Sequence, residues 1–192
     1  MLTVIKLGGS LYHSQQLSDY LQNILAFAEN QAVVLVAGGG PFADVVRQAQ
    51  QDHGFSDKTA HQMAINAMRQ FALLLIDLVP DAHILSQPDQ PLQAIGLSVW
   101  LPDDSQLMTA DLPQNWQVTA DSLALWLAQQ LNASQLILIK SCAVSSAQIT
   151  DLSEHGIVDA HFAKQYQRQP LPCSLIQQVD VSDGLTIQIP LI

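Results

Sequence analysis

A lysine inside an apolar run is the first residue of this chain that asks for chemistry. Lys6 stands between Ile5 and Leu7, and Gly8-Gly9-Ser10 follow at once. A buried ammonium is costly unless an anion meets it. Two glycines at a strand end let the backbone turn sharply and present bare N–H groups. Together they describe a cradle for an oxyanion. Three other stretches carry residues of the same kind. Gly38-Gly39-Gly40, followed by Pro41, reads as a strand-to-helix turn whose helix N-terminus points positive potential at whatever lies above it. Thr119-Ala120-Asp121-Ser122 opens a helix. Its acid is either an ordinary first-turn carboxylate or the counter-charge that a buried Lys6 requires. Lys140-Ser141 ends the aliphatic run Leu136 to Ile139, where the lysine either meets a ligand or snorkels to solvent.

Several chemistries are set aside by the same reading. Neither glycine cluster matches G-x-x-x-x-G-K-[ST], and no G-x-G-x-x-G occurs, so the pattern is neither a P-loop nor a dinucleotide fingerprint. The histidines lack HxH or HxxxH spacing. His13 lies close to the first loop and could touch a ligand, whereas His61 is expected on the polar face of a helix. Cys142 and Cys173 show no CxxC spacing, which argues against a zinc site and for two small apolar residues in a reducing compartment. A net charge of −10 with only seven Lys and Arg excludes the basic face that nucleic acid or an anionic membrane would need. Phe71 to Val79 is far shorter than the ~20 apolar residues of a membrane span, and the N-terminus has no signal-peptide pattern. A cytoplasmic protein without nucleic-acid or membrane partners is expected.

These stretches must be positioned by the elements around them. Residues 2–7 read as a first strand, and 16–29 as a helix with Leu17, Leu21, Ile24, Leu25 and Ala28 on one face. Ala32 to Val36 is a second strand, and a helix starts at Pro41, where the missing N–H is not needed. Ser56 or Asp57 caps a long helix that Pro80 closes. Its stripe includes Met63, Met68, Phe71 and Leu78, all read as core. Short strands follow at 82–86 and 98–101, then an irregular stretch at 103–115. Next come the helix after Asp121 and the strand Leu136 to Ile139, whose continuous apolar run suits a parallel strand buried on both faces. Helices at 148–155 and 158–167 and strands at 174–176 and 185–189 complete the chain. Strands alternating with helices over 192 residues predict one α/β domain, a three-layer αβα sandwich with a mostly parallel central sheet. Ligands of such sheets bind at the carboxyl ends of the strands, and all four stretches fall there.

The ordered set Lys6-x-Gly8-Gly9-Ser10, Gly38 to Gly40 and Thr119-Ala-Asp-Ser122 resembles the amino acid kinase family. That family includes acetylglutamate, uridylate, carbamate and isopentenyl phosphate kinases. The resemblance spans most of the chain and is closer to a short branch, the kinases of methanofuran biosynthesis. It is carried there by Ala37 to Arg47, Ser56 to His61 and Trp116 to Trp126. It implies a carbamate kinase-like fold and phosphoryl transfer from ATP, with Mg2+ carried on the nucleotide and not held by a protein ligand set. The acceptor would be a small phosphorylated molecule, here an aminomethylfuran methyl phosphate. It also implies roles. Lys6 would stabilise the transferring phosphoryl group, and Asp121 would orient the lysines. Lys164 falls where acetylglutamate-type members carry a second lysine. The amides of Gly8, Gly9, Gly39 and Gly40 would bind phosphates. Ser10, Thr119, Lys140 and Ser141 would lie on the phosphate and nucleotide side. Gly38, Pro41, Phe42 and Arg47 would border the acceptor, with Arg69 a further cation in the same region. A homo-oligomer is implied, with the long helix a plausible interface.

The chain departs from the family where Ser141-Cys-Ala-Val-Ser-Ser146 replaces an Asp-Gly segment and hairpin, and where Ala160-His161-Phe162 replaces the Gly-Met pair before the second lysine. Two alternatives therefore stay open: a kinase-like binding or regulatory protein without turnover, and a kinase for isopentenyl phosphate or an amino-acid carboxylate.

Overall fold

The computed structural model describes residues 1–144, 146–177, 185 and 188–192. Its centre is a sheet of seven strands in the order β3-β4-β2-β1-β5-β6-β7. The strands are β1 (Leu2–Leu7), β2 (Ala32–Ala37), β3 (His83–Leu85), β4 (Gly96–Trp100), β5 (Gln135–Lys140), β6 (Cys173–Gln177) and β7 (Ile189–Pro190). All neighbours run parallel except β7, which pairs antiparallel with β6. The helices are α1 (Leu17–Ala28), α2 (Gly40–His53), α3 (Asp57–Leu78), α4 (Asp104–Leu107), α5 (Ala120–Gln130), α6 (Ile149–Glu154) and α7 (Ala160–Arg168).

The central strands are buried on both faces because helices cover both. Side chains alternate along each strand, so β1 feeds two separate cores. Val4 packs with Leu136, Leu138, Leu123 and Phe162, under α5 and α7. Ile5 and Leu7 pack with Ile137, Ile139, Ile24 and Phe71, under α1 and α3. The same alternation decides where the lysines point. Lys6 shares the face of Val4, and Lys140 that of Leu136 and Leu138. Lys6 is in register with Leu138. Lys140 therefore stands one pleat repeat further along the neighbouring strand, on the same side of the sheet.

The three-layer sandwich expected from the sequence is present, with local differences. The stretch 103–115 holds α4, capped by the Asp103 side chain, which accepts from the Ser105 amide at 2.9 Å. Gly9–His13 forms a 3₁₀ turn. In α3, capped by Ser56, Met68 and Phe71 are core, but Met63 and Leu78 are exposed. The helix is more apolar than the single face it buries. Part of the terminal strand expected at 185–189 lies outside the described residues. Among the described residues, no helix is long and apolar enough to cross a membrane.

Candidate active site

At the carboxyl ends of β1, β2 and β5 lies a cavity of about 590 Å³. Two glycine turns form one wall. The Gly8 amide donates to the Ile139 carbonyl at 2.9 Å and the Gly38 amide to the Leu7 carbonyl at 2.9 Å, which ties each turn to the neighbouring strand. Beyond these ties the two turns touch. A Cβ on Gly9 would stand 2.5 Å from the Gly40 amide nitrogen, and one on Gly38 would collide with the Gly9 backbone. Gly40 adopts φ +54°, a left-handed conformation that favours glycine. The wall is therefore bare backbone, set at the N-terminus of α2, where unsatisfied amides and the helix dipole attract anions.

The floor holds the charges. Lys6 and Lys140 converge on Asp121, in the first turn of α5. Lys6 Nζ lies 2.9 Å from Asp121 Oδ1, and Lys140 Nζ donates to Oδ2 at 2.6 Å. All three residues are buried. Burial alone would raise the Asp121 carboxyl, but the charges of Lys140 and Lys6 outweigh it and hold it at about 2. Burial pushes the Lys6 ammonium down, against the attraction of Asp121 and with the repulsion of Lys140. Two lysines thus share one carboxylate on the cavity floor, and the nearby Asp159 also acts on Lys6.

Beside Asp121 stands a second acid, half-buried and itself lining the cavity, that the sequence reading did not single out. Asp159, the N-cap of α7, accepts from the Thr119 amide at 2.9 Å, the Thr119 hydroxyl at 2.8 Å and the Ser122 amide at 3.0 Å. It also accepts from the Ser122 hydroxyl and from the amides of His161 and Phe162. Burial, then the neighbouring Asp121, raises its carboxyl above the ordinary value, against the hydrogen bonds of Ser122 and Thr119. The signal available in the sequence was Asp followed by a helical stripe, which every N-cap aspartate shows.

The first 100 residues match the family model described as "Amino acid kinase family". The chain belongs to the amino acid kinase family. It is 28% identical over 138 residues to the [5-(aminomethyl)furan-3-yl]methyl phosphate kinase of Methanocaldococcus jannaschii, a match covering 70% of this chain and 63% of that relative. The match thus spans less than two thirds of the relative's length. Among solved structures, uridylate kinase from Archaeoglobus fulgidus superposes over all of this chain and 98% of its own, with a TM-score of 0.74 and 19% identity. Aspartate kinase from Synechocystis covers all of this chain and 40% of its own, with a TM-score of 0.68 and 15% identity. These likenesses show the amino acid kinase fold.

Within that fold, the structure gathers most of the residues expected at the site and leaves others apart. Lys6, Gly9, Ser10, Gly38, Gly39, Gly40, Pro41, Arg47, Thr119, Asp121 and Lys140 line the cavity, as does His13. The Gly8 amide, expected on a phosphate, is engaged by Ile139. Phe42 turns away to stack edge-on against Tyr12. Ser141 is exposed and reaches the site only through Ser10, their hydroxyls 2.6 Å apart. The Thr119 hydroxyl faces Asp159. Lys140 is anchored by Asp121 and does not snorkel. Lys164 sits on the exposed side of α7, outside the lining of the cavity. Helical spacing puts its neighbours Phe162, Ala163 and Gln165 inward instead. Arg69 donates to the Pro102 carbonyl at 3.0 Å and does not line the cavity.

His61, expected on a polar face, is buried and borders the cavity beside Ala64, Ile65 and Met68. Burial lowers its imidazole, against a hydrogen bond with the Asn115 backbone. Trp116 was also missed as a wall residue. Its ring carries the Arg47 guanidinium at 4.5 Å, and its Nε1 donates to Gln50 at 2.6 Å. Among the described residues, no group of three or more His, Cys, Asp or Glu is placed to hold a metal ion.

Proposed function

We propose that this chain transfers the terminal phosphoryl group of ATP to a small phosphate monoester. The observation that carries the reading is the convergence of two buried lysines on one buried aspartate beneath two touching glycine turns. Phosphoryl transfer needs positioning and charge neutralisation more than covalent chemistry, and this floor offers both. The amides of Gly9, Gly39 and Gly40 and the N-terminus of α2 would cradle phosphate oxygens. Lys6 and Lys140 would face the charge that develops on the transferring group, with Asp121 fixing their spacing. In this arrangement Lys140, and not Lys164, supplies the second cation. Magnesium, when bound with ATP, would neutralise further phosphate charge. Asp121 is already committed to two lysines, so the metal would ride on the nucleotide.

The acceptor side favours a small ring. Ala64, Ile65, Met68 and Val118 give an apolar surface, and His61 and the Arg47–Trp116 pair border it. Asp44 lines the mouth, paired with Arg47 at 2.8 Å. An aminomethylfuran methyl phosphate, as named for the archaeal relative, is the acceptor these features support, and methanofuran-type one-carbon cofactor synthesis is the proposed setting. An anionic phosphate oxygen needs no general base to act as nucleophile. A single folded unit, working in the cytoplasm as a homo-oligomer, is part of this proposal.

The test is ADP release from MgATP with a panel of acceptors: [5-(aminomethyl)furan-3-yl]methyl phosphate, UMP, isopentenyl phosphate and N-acetylglutamate. Turnover with a phosphate monoester supports the reading. ADP formation only with the carboxylate, or none from folded protein, would overturn it. Calorimetry showing metabolite binding without ATP binding would favour a regulatory protein instead.

A further inference from the structure

The first turn of α5 is held in an unusual way. Its N-cap, Thr119, makes no side-chain cap of its own helix. Threonine ordinarily would, by accepting from an amide two or three residues on. Instead its hydroxyl points the other way, onto Asp159. The orphan amide of Ser122 is met by the same carboxylate, 37 residues further along the chain. Asp159 meanwhile caps α7 through His161 and Phe162. One carboxylate therefore closes two helix N-termini, and its two oxygens divide the task. Oδ2 takes the Thr119 amide and hydroxyl and the Ser122 amide. Oδ1 takes the α7 amides and the Ser122 hydroxyl. Capping α7 would need only the Oδ1 set. The Oδ2 set grips the residues on either side of Asp121.

We propose that Asp159 is a positioning residue that holds the first turn of α5 at the height where Asp121 can meet Lys6 and Lys140 together. Calling that cluster phosphoryl-binding rests on the function proposed above, but the positioning stands on the contacts alone. It also explains what α7 contributes: its lysine faces solvent, and its cap reaches the site.

The two roles of Asp159 can be separated because they use different oxygens. Asparagine is as good an N-cap as aspartate. In Asp159→Asn, the amide oxygen can keep the α7 cap. The NH2 group then faces the Thr119 and Ser122 amides, two donors that cannot turn away. Thr119→Val removes one α5 contact and leaves the α7 cap untouched. The chain has four lysines, Lys6, Lys58, Lys140 and Lys164, so lysine side-chain resonances of the isotope-labelled full chain are resolvable one by one.

In both variants the Lys6 and Lys140 signals should move while those of Lys58 and Lys164 stay. With MgATP and the phosphate acceptor, kcat should fall on the order of 10- to 100-fold, as for about an ångström of misplacement, with acceptor KM within about twofold. Unmoved Lys6 and Lys140 signals in either folded variant would overturn the proposal. If the unsubstituted chain transfers no phosphoryl group, the proposed function fails, and the lysine spectra still decide the role of Asp159. If Asp159→Asn does not fold, Thr119→Val decides alone.

Discussion

Replacing Asp121 by asparagine removes the one negative charge between two buried ammonium groups and changes almost nothing in shape. The carboxyl is held at about 2 in the fold, against an ordinary value near 4. That shift stabilises the native state by about 2 kcal/mol at neutral pH. The variant loses more than this, because it also strands two buried cations, and removing one partner of a buried pair costs about 3–5 kcal/mol. The sign with pH then follows. Lys6 already sits below the ordinary lysine value because of burial, and loss of Asp121 drives it further down. The unfolded chain then binds more protons than the folded one, so stability of the variant rises with pH, by up to about 1.4 kcal/mol per unit as Lys6 releases its proton. Urea unfolding followed by tryptophan fluorescence should show a gap of about 3–5 kcal/mol between wild type and Asp121→Asn at pH 6, narrowing towards pH 9. On the acid side the wild type should lose its about 2 kcal/mol from Asp121 as pH falls from 4 through 2, a loss the variant lacks. A gap that stays constant or widens from pH 6 to 9 would refute the claim that the lysines depend on this carboxylate.

Further consequences concern the site and the thiols. Lys140→Met should lower ADP release by ~10²-fold or more, as when a transition-state donor is lost, while Lys164→Met stays within about twofold, as for a solvated residue. The reverse order would return the second cation to α7. Gly9→Ala should weaken ATP binding measured by calorimetry, because its Cβ would stand 2.5 Å from the Gly40 amide nitrogen and force the two turns apart; unchanged affinity would mean the turns need not touch. Cys142 is exposed, whereas burial pushes the Cys173 thiol up to about 12. A disulfide reagent at pH 8 should therefore titrate one thiol in the native protein and two in urea, and rapid reaction of both in the native state would place Cys173 wrongly.

Much of this fold was legible because its strands are read twice. Val4, Lys6 and Leu7 are consecutive enough for the period of two to assign faces, and the aliphatic run Leu136 to Ile139 marks a strand covered on both sides. What periodicity could not show was which apolar residues lack a cover. Met63 and Leu78 keep helical spacing in α3 yet stay exposed, because burial is decided by the partner element and not by the stripe. The 3₁₀ turn at Gly9–His13 was missed for a related reason. It is fixed by the Leu11 amide bonding the Gly8 carbonyl at 3.1 Å and by Leu11 entering the core beside Ile24, neither of which leaves a local pattern.

The site divides along the same line. Lys6 and Asp121 could be paired from the sequence, because a buried ammonium demands a carboxylate and few acids sit at strand ends. The partner of Lys140 was harder to assign, since a lysine at the end of a strand has solvent within reach. Register settles it. Lys6 pairs with Leu138, and Lys140 lies on the same face one pleat beyond, so the two ammonium groups approach a helix N-terminus crossing between them. A carboxylate in the first turn of that helix then stands between two cations, and each lysine makes the other's burial costlier unless an anion joins them. Asp121 meets both charges directly, and Asp159 acts on Lys6 as well. Both ammonium groups lie under two turns of bare backbone, and under the proposed function an arriving phosphoryl group should draw Lys6 back towards its ordinary protonation. The two lysines that share Asp121 line the cavity beside the bare glycine turns, and that juxtaposition is the feature that ties this geometry to an anionic substrate.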